Sequence, residues 1–292
     1  MKHAIEVSRL TKTYGSSRGI TELDLCVDEG DIFGFIGPNG AGKSTTIRIL
    51  LGMIKQNSGK ARVFGMDTSE NRIGILKRIG YMPSEAMFYP GVRVKDMIKL
   101  SADIRKKDCS KEAQYLCERF CVDTGRKIEE LSLGNRKKVS IVCALQHNPD
   151  LLILDEPTSG LDPLMQKEFF DVLNERNEKG ATIFFSSHVL SEIQHNCANA
   201  AIIREGKLIL QDSIDNLSAA NARRVTVHGI KTLPELSGIS DINESSKGIS
   251  FLFSGDINML VSALAEYKLS DLSICEPDIE EIFMHYYQKE DE

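Results

Sequence analysis

Residues 37–45 read Gly37-Pro38-Asn39-Gly40-Ala41-Gly42-Lys43-Ser44-Thr45 and fit the pattern G-x-x-x-x-G-K-[ST]. The apolar run Ile32 to Ile36 precedes this stretch and predicts a buried strand, whereas the sequence from Lys43 onward predicts a helix closed by Gly52. A glycine-rich loop between a strand and a helix directs backbone N–H groups toward one point, where the helix N-terminus adds partial positive charge. The stretch therefore predicts a phosphate-binding loop rather than a chance glycine-rich turn.

Two side chains of this loop and two acids further along the chain have predicted roles. Lys43 is placed to reach the β- and γ-phosphates of a nucleotide, and the Ser44 hydroxyl is placed to ligate Mg²⁺. The apolar run Leu151 to Leu154 predicts a second buried strand that ends in Asp155 and Glu156. We expect Asp155 to hold Mg²⁺, directly or through water, and Glu156 to act as general base. A solvated acidic turn would explain the two acids but not the apolar run before them.

Outward from these motifs, predicted strands and helices alternate. Apolar residues alternate near Ile5 and again up to Val27, residues 92–147 have a mostly helical pattern, and Thr182 to Phe185 predicts another strand. Strands that alternate with helices predict an α/β fold with a mostly parallel sheet.

The pattern of the chain changes near residue 216. We expect a nucleotide-binding domain at 1–216, with a helical insertion at about 85–147, and a small α+β accessory domain at 217–292. The last helix predicted in the accessory domain has one apolar stripe, which favours core packing over a ligand role. The residues of that stripe are Ile279, Ile282, Phe283 and Tyr286.

Composition narrows the classes of partner and compartment. A formal net charge of -6 argues against a broad basic surface, so nucleic acid is not expected as a partner. The seven cysteines are odd in number and scattered, which favours a reducing compartment over a disulfide framework. Cys117 and Cys121 lie at one-turn spacing, but no second His/Cys pair follows at zinc spacing.

The N-terminal segment lacks the apolar region of a signal peptide, and no stretch reaches the roughly 18 apolar residues that cross a bilayer. We expect a cytoplasmic protein that does not itself cross a membrane.

The ordered series of motifs over roughly the first 210 residues resembles that of the ATP-binding cassette (ABC) ATPases. Leu131-Ser132-Leu133-Gly134-Asn135 stands where the family has its LSGGQ signature, and Ser159-Gly160-Leu161-Asp162 resembles its D-loop. His188 resembles its switch histidine, and Tyr14 resembles the aromatic residue that stacks on adenine.

The resemblance implies a P-loop NTPase core with an antiparallel β subdomain, ATP and Mg²⁺ as cofactors, and ATP hydrolysis as the activity. It also implies that two cassettes close head to tail, as a homodimer when both copies are this chain. Ser132 and the backbone N–H of Gly134 would then contact the γ-phosphate of the partner's nucleotide. His188 would hydrogen-bond the γ-phosphate in its own subunit.

The sequence departs from the family pattern at two places. The signature reads LSLGN, which keeps the serine and the second glycine that touch phosphate. At the position of the Q-loop glutamine stands Ser84, followed by Glu85. Either Ser84 acts on Mg²⁺ through water, or Glu85 substitutes, or the contact is dispensable and the loop is only a hinge. The basic run Arg136-Lys137-Lys138 receives no specific role.

The C-terminal segment from Glu276 to Phe283 resembles the appendage of ABC-2-type exporter ATPases, a group that includes antibiotic and multidrug efflux subunits. This resemblance implies a separate integral-membrane permease of the ABC-2 type and a peripheral position on the inner face of the membrane. The apolar segment Phe88-Tyr89-Pro90 lies where the family receives a coupling helix of its permease. The alternative is a non-transport ABC ATPase that acts on ribosomes or DNA, although such relatives carry coiled coils, zinc modules or two cassettes.

Overall fold

The computed structural model of the protein describes residues 2–15, 17–218, 222–230, 232–234, 236–245 and 248–275. The apolar stripe predicted for the last helix, with Ile279 and Tyr286 at its ends, lies outside these residues, as does the segment from Glu276 to Phe283.

A six-stranded sheet forms the centre of the first unit, and five of its strands are parallel to their neighbours. The strand that precedes the glycine loop lies next to the strand Thr182–Ser187, which in turn lies next to the strand that ends in Asp155. Because these strands are parallel, their carboxyl ends lie at the same edge of the sheet. In sheet order the strands are β10 (Lys207–Ser213), β9 (Asn199–Arg204), β3 (Ile32–Ile36), β8 (Thr182–Ser187), β7 (Leu151–Asp155) and β6 (Ile79–Met82).

Continuous apolar sequence produces these strands because parallel strands are covered on both faces. All five residues of β7 and all six of β8 are buried. The ring of Phe184 on β8 packs against those of Phe33 and Phe35 on β3, with centroids 6.0 and 5.5 Å apart. The parallel sheet and its alternation with helices confirm the predicted fold class.

Helices connect the strands of this sheet. The helix after the glycine loop begins at Lys43, as predicted, and a later one begins at Pro163 with Asp162 as its N-cap. The helices of the first unit are α1 (Lys43–Leu50), α2 (Arg72–Arg78), α3 (Val94–Ile104), α4 (Ser110–Arg119), α5 (Leu133–Leu145), α6 (Pro163–Glu178) and α7 (Leu190–Asn196).

The segment between β6 and β7 is helical and contains α3, α4, a 3-10 turn at Ile128–Glu130, and α5. The N-terminal end of α5 carries the sequence predicted as the signature. Its C-terminal end is anchored to α3, because Gln146 Nε2 donates a hydrogen bond to the Ile98 carbonyl at 3.0 Å.

A second, antiparallel sheet lies in the same unit and corresponds to the antiparallel β subdomain that the resemblance implied. Strand β1 (His3–Tyr14) pairs with β2 (Ser17–Asp28) on one side and with β4 (Ser58–Val63) on the other. In sheet order its strands are β2 (Ser17–Asp28), β1 (His3–Tyr14), β4 (Ser58–Val63) and β5 (Met66–Asp67).

The chain divides into two compact units, one up to Gln211 and one from Asp212 onward, whereas the sequence placed a boundary after residue 216. The second unit has its own antiparallel sheet and its own buried core, which includes Val225, Phe251 and Leu260. Its elements are α8 (Ile214–Ser218), β11 (Ala222–His228), β12 (Ile239–Ser245), β13 (Gly248–Ser254), α9 (Ile257–Leu264) and β14 (Asp271–Cys275).

Within the described ranges, no helix has the length and apolar content that crossing a membrane requires.

Candidate nucleotide-binding and catalytic site

The glycine loop runs from the end of β3 to the start of α1, and its backbone requires glycine at defined positions. Gly40 and Gly42 have φ angles of +82° and +110°, in the region that side chains disfavour. A Cβ on Gly37 would lie 2.4 Å from the Ile203 carbonyl oxygen, so neighbouring backbone also excludes a side chain there. The loop thus has the close-packed form that lets backbone N–H groups face a phosphate.

Lys43, the first residue of α1, folds back over the loop. Only 6% of its side chain is exposed, and its ammonium donates hydrogen bonds to the carbonyls of Gly37 and Pro38. The same ammonium lies 3.2 Å from Glu156 Oε1. The structure therefore brings together the predicted phosphate-binding lysine and the predicted general base.

Ser44 and Asp155 also meet, as expected for two ligands of one cation. The Ser44 hydroxyl donates to Asp155 Oδ2 at 2.9 Å, and the Ser186 hydroxyl at the end of β8 donates to Asp155 Oδ1 at 2.6 Å. A hydroxyl and a carboxylate side by side are the oxygen donors that Mg²⁺ prefers, so these two residues fit the cation.

Glu156 follows β7 in a strained backbone conformation, with a φ of +49°. Its backbone N–H donates to the carbonyl and hydroxyl oxygens of Ser186, each at 3.2 Å. Its carboxylate accepts a hydrogen bond at Oε2 from Nδ1 of His188, at 2.6 Å. The two predicted catalytic residues are therefore in direct contact, with Lys43 on the other carboxylate oxygen.

A cavity of about 320 Å³ opens at this point. Ser84 and Glu156 line it together with residues of the glycine loop. Its lining comprises Gly19, Pro38, Asn39, Gly40, Ala41, Gly42, Lys43, Ser44, Thr45, Ser84 and Glu156.

A larger cavity of about 1120 Å³ lies beside α3 and α4. Its lining includes Ala102, Ala113 and Cys117 but neither the glycine loop nor the paired acids. The smaller cavity is the candidate nucleotide site, because its lining contains the glycine loop, Lys43 and Glu156, which suit a polyphosphate. The larger cavity lacks these groups in spite of its size.

The predicted signature lies at the start of α5. Ser132 is the N-cap, and its hydroxyl accepts a hydrogen bond from the Asn135 backbone N–H at 3.3 Å. Leu133 is 58% exposed, and Asn135 is exposed as well. Among the described residues that line the 320 Å³ cavity, none comes from this signature.

Gly134 links the signature to the predicted D-loop of the same chain. A Cβ at this position would lie 2.7 Å from the Gly160 carbonyl oxygen, closer than such atoms pack. Gly160 itself has a φ of +82°, Leu161 is buried, and the Asp162 carboxylate caps α6 by accepting from the Met165 N–H at 3.1 Å. Ser159 is exposed in this loop.

Three further predicted residues, Ser84, Glu85 and Tyr14, differ in whether they line the cavity. Ser84 and Glu85 are both exposed, and only Ser84 lines the cavity. Tyr14 ends β1 with its ring 42% exposed and with the Lys12 ammonium 5.4 Å from the ring centroid, but it is not part of the cavity lining.

Two residues of the site were missed by sequence reasoning. Ser186 holds both Asp155 and the backbone of Glu156, and the pair of serines that closes the apolar strand β8 was a signal for it. Lys137, for which the basic run gave no role, is buried and donates to the carbonyls of Ser84 and Glu156 at 2.7 and 2.8 Å.

The cysteine pair that was considered as half of a metal site does not share a helix face. Cys121 lies beyond the end of α4 with a φ of +51°. In the described part of the chain, the ligating side chains that converge are instead His3, Cys26 and Asp28. Nδ1 of His3 lies within hydrogen-bond distance of Asp28 Oδ1, at 2.7 Å, and of Cys26 Sγ, at 3.0 Å, so the three side chains contact one another directly.

Comparison with known proteins places these features in one family. The family model described as ABC transporter matches residues 20–159. The bacitracin transport ATP-binding protein BcrA of Bacillus licheniformis is 40% identical over 227 residues, which cover 76% of this chain and 74% of that protein. The linearmycin resistance ATP-binding protein LnrL of Bacillus subtilis (strain 168) is 29% identical over 306 aligned positions, which cover 96% and 97%.

Among solved structures, one titled as the ATP binding subunit of an ABC transporter superimposes with a TM-score of 0.68. It is 28% identical, and the match covers 73% of this chain and 91% of that structure.

Proposed function

Because this chain belongs to the ATP-binding proteins of ABC transporters, we propose that its ATP hydrolysis powers an exporter whose permease is a separate polypeptide. The observation that carries the proposal is the contact of Glu156 with both Lys43 and His188 at the mouth of the glycine loop. The bacitracin and linearmycin relatives, whose names connect them with transport and resistance, support an export role.

In the proposed hydrolysis, backbone N–H groups of residues 39–44 receive the β-phosphate, and the Lys43 ammonium moves from the loop carbonyls to the β- and γ-phosphate oxygens. Ser44 and Asp155 would hold Mg²⁺, which neutralises phosphate charge when bound. Tyr14 is available to stack on adenine because its ring is partly exposed at the end of β1.

Glu156 is placed to accept a proton from the water that attacks the γ-phosphorus, while the bond from that phosphorus to the β–γ bridging oxygen breaks. Lys43 at Oε1 and His188 at Oε2 fix the carboxylate in one orientation. The His188 side chain is half exposed, so its ring can donate a hydrogen bond to the γ-phosphate when ATP is bound. The products are ADP and inorganic phosphate.

We propose that a second copy of the chain completes the site. Ser132, Leu133 and Asn135 are exposed at the N-terminus of α5, and the cavity of the same chain does not use them. A helix N-terminus presents free N–H groups and partial positive charge, which suit the γ-phosphate of a nucleotide bound by the partner. ATP would then lie between the two copies and hold them together.

The contact with the permease is proposed for the loop between β6 and α3. Met87 is 85% exposed and Tyr89 is 68% exposed in this loop, next to the half-buried Phe88. Large apolar side chains that stand free of the core are typical of protein contacts. We assign the permease to the ABC-2 type from the sequence resemblance, and we place the chain in the cytoplasm, on the inner face of the membrane.

Co-purification from the native host tests this proposal. The tagged chain is expected to copurify from membranes with a polytopic partner, and the double variant Met87→Ser/Tyr89→Ser is expected to lose the partner while it keeps ATPase activity. The matched control is Ile73→Ser, which changes an exposed apolar side chain of α2 away from this loop. Recovery with ribosomes or DNA in a salt-sensitive manner, and without a membrane partner, would overturn the proposal.

A further inference from the structure

Lys137 lies in the second turn of α5 and is 2% exposed. A lysine is almost never fully buried unless its charge has a partner. Among the described residues, its ammonium has no carboxylate as a hydrogen-bond acceptor and donates instead to two backbone carbonyls, those of Ser84 at 2.7 Å and Glu156 at 2.8 Å. Burial of a charge for two carbonyls is costly, which argues that the placement serves more than packing.

One of these two carbonyls belongs to Glu156, the proposed general base. With its φ of +49°, Glu156 adopts a conformation that the surrounding structure must hold in place. Ser186 accepts from the N–H side of the residue, and Lys137 donates to its carbonyl side. The two contacts fix the backbone from which the carboxylate reaches Lys43 and His188.

The other carbonyl belongs to Ser84, which lines the cavity together with the glycine loop and Glu156. Ser84 and Glu156 are 72 residues apart in sequence, and one ammonium joins their backbones. Lys137 belongs to the helix whose N-cap is Ser132, five residues earlier. A displacement of α5 is therefore transmitted through one side chain to two residues of the cavity lining, Ser84 and Glu156.

We propose that Lys137 is a positioning residue that couples the signature end of α5 to the general base and the Ser84 loop of its own subunit. This inference rests on the proposed function, since it assigns a route by which the partner's nucleotide at Ser132 acts on turnover in this subunit. Burial lowers the pKa of Lys137 to about 8, and the charges of Asp155 and Glu156 oppose that decrease.

Steady-state kinetics of Lys137→Met and Lys137→Gln test the positioning role. Methionine keeps the length of the buried side chain without a donor, whereas glutamine keeps an N–H donor without the charge. We expect Lys137→Met to lower kcat at least tenfold with KM and ATP affinity within twofold of wild type, and we expect Lys137→Gln to retain more activity. Lys138→Met, one residue along the same helix, is the control and is expected to leave kcat unchanged.

An unchanged kcat in Lys137→Met overturns the proposal, as does a loss of kcat that is matched by Lys138→Met. A loss of ATP binding, or a fall in melting temperature shared by Lys137→Met and Lys137→Gln, assigns the residue to stability alone and also overturns it. Inactivity of the wild-type chain toward ATP would instead contradict the proposed function, so the two failures are distinguishable.

A double-mutant cycle with Ser132→Ala tests the coupling. If Lys137 transmits the signature contact, Ser132→Ala lowers kcat severalfold in the wild-type background and less in the Lys137→Met background. Equal losses in both backgrounds would show that the signature reaches the general base by another route and would overturn the coupling.

Discussion

The two groups of residues that this chain would bring to ATP differ in how completely they are built. Around the glycine loop, Lys43, Glu156 and His188 already contact one another, and Ser44 contacts Asp155. At the start of α5, Ser132, Leu133 and Asn135 are exposed, and within the described residues the serine hydroxyl accepts its hydrogen bond from the Asn135 N–H of its own helix. This difference agrees with the proposed function, in which one group would bind and hydrolyse nucleotide within the chain and the other would act on a second copy.

The glycine-loop group should show the largest effect of a single change. We expect Glu156→Gln to lower ATP turnover by about 10²- to 10⁴-fold, because the variant cannot accept the proton of the attacking water. ATP affinity should be retained, since Lys43 and the loop N–H groups remain. Turnover by phosphate release and affinity by equilibrium titration measure the two quantities.

Glu178→Gln, at the exposed end of α6, is the control for that variant and should behave as wild type. Turnover by Glu156→Gln within threefold of wild type would show that another group acts as the base.

A change in the signature group should instead affect the formation of the dimer, so its effect on activity should depend on the protein concentration. Ser132→Ala removes a hydrogen bond to a charged phosphate, so we expect the ATP-driven dimer to weaken by about 10- to 100-fold. Binding of ATP to the single subunit should not change. ATPase activity measured against protein concentration reports the dimer, and titration of nucleotide at low protein concentration reports the subunit.

Ser132→Ala also removes an N-cap, which costs about 1 kcal/mol of stability. Asp256→Ala removes the corresponding cap of α9 in the second unit and is the matched control. Equal losses of activity in both variants would trace the effect to stability rather than to the signature.

Gly134→Ala tests the contact between the signature and the predicted D-loop. Because the new Cβ would lie 2.7 Å from the Gly160 carbonyl oxygen, α5 or the D-loop must shift. We expect turnover to fall about tenfold, since a misplacement of roughly 1 Å costs up to 10²-fold. Gly125→Ala, whose Cβ would lie 3.4 Å from a flexible Asp123 side chain, should have no effect. If Gly134→Ala is equally harmless, the signature does not depend on the D-loop for its position.

Ser84→Ala should have the smallest effect. The side chain is exposed, and the bond that Lys137 makes to this residue uses the backbone carbonyl, which alanine retains. We expect hydrolysis to stay within a few-fold of wild type, and parallel assays of Glu85→Ala would show whether the neighbouring acid takes the role. A loss as large as that of Glu156→Gln would make Ser84 a principal ligand.

Those parts of the site that depend on a local sequence pattern could be predicted from the sequence. The strand, glycine loop and helix at residues 32–50 follow from an apolar run, positive-φ glycines and a helical period, and all three are present. The start of α6 is also a local pattern, because aspartate is a preferred N-cap and proline a preferred first helical residue, as Asp162 and Pro163 are.

Contacts between distant segments were not readable. Lys137 stands in a run of three basic residues to which the sequence gives no specific role, because nothing local shows that its side chain reaches residues 84 and 156. The approach of Gly134 to Gly160 and the bond from Ser186 to Asp155 likewise depend on the packing of separate elements. Sequence pattern fixes which elements form, whereas these contacts follow from how the elements meet.

In the proposed dimer, one chain supplies the hydrolytic half of the site and a second copy supplies the signature. Sedimentation of Glu156→Gln with Mg²⁺ and ATP measures this dimer. We expect a dimer that appears with ATP, retains two nucleotides and is lost when Ser132→Ala is added. A variant that is saturated with ATP and still sediments as a monomer at micromolar concentration would contradict it.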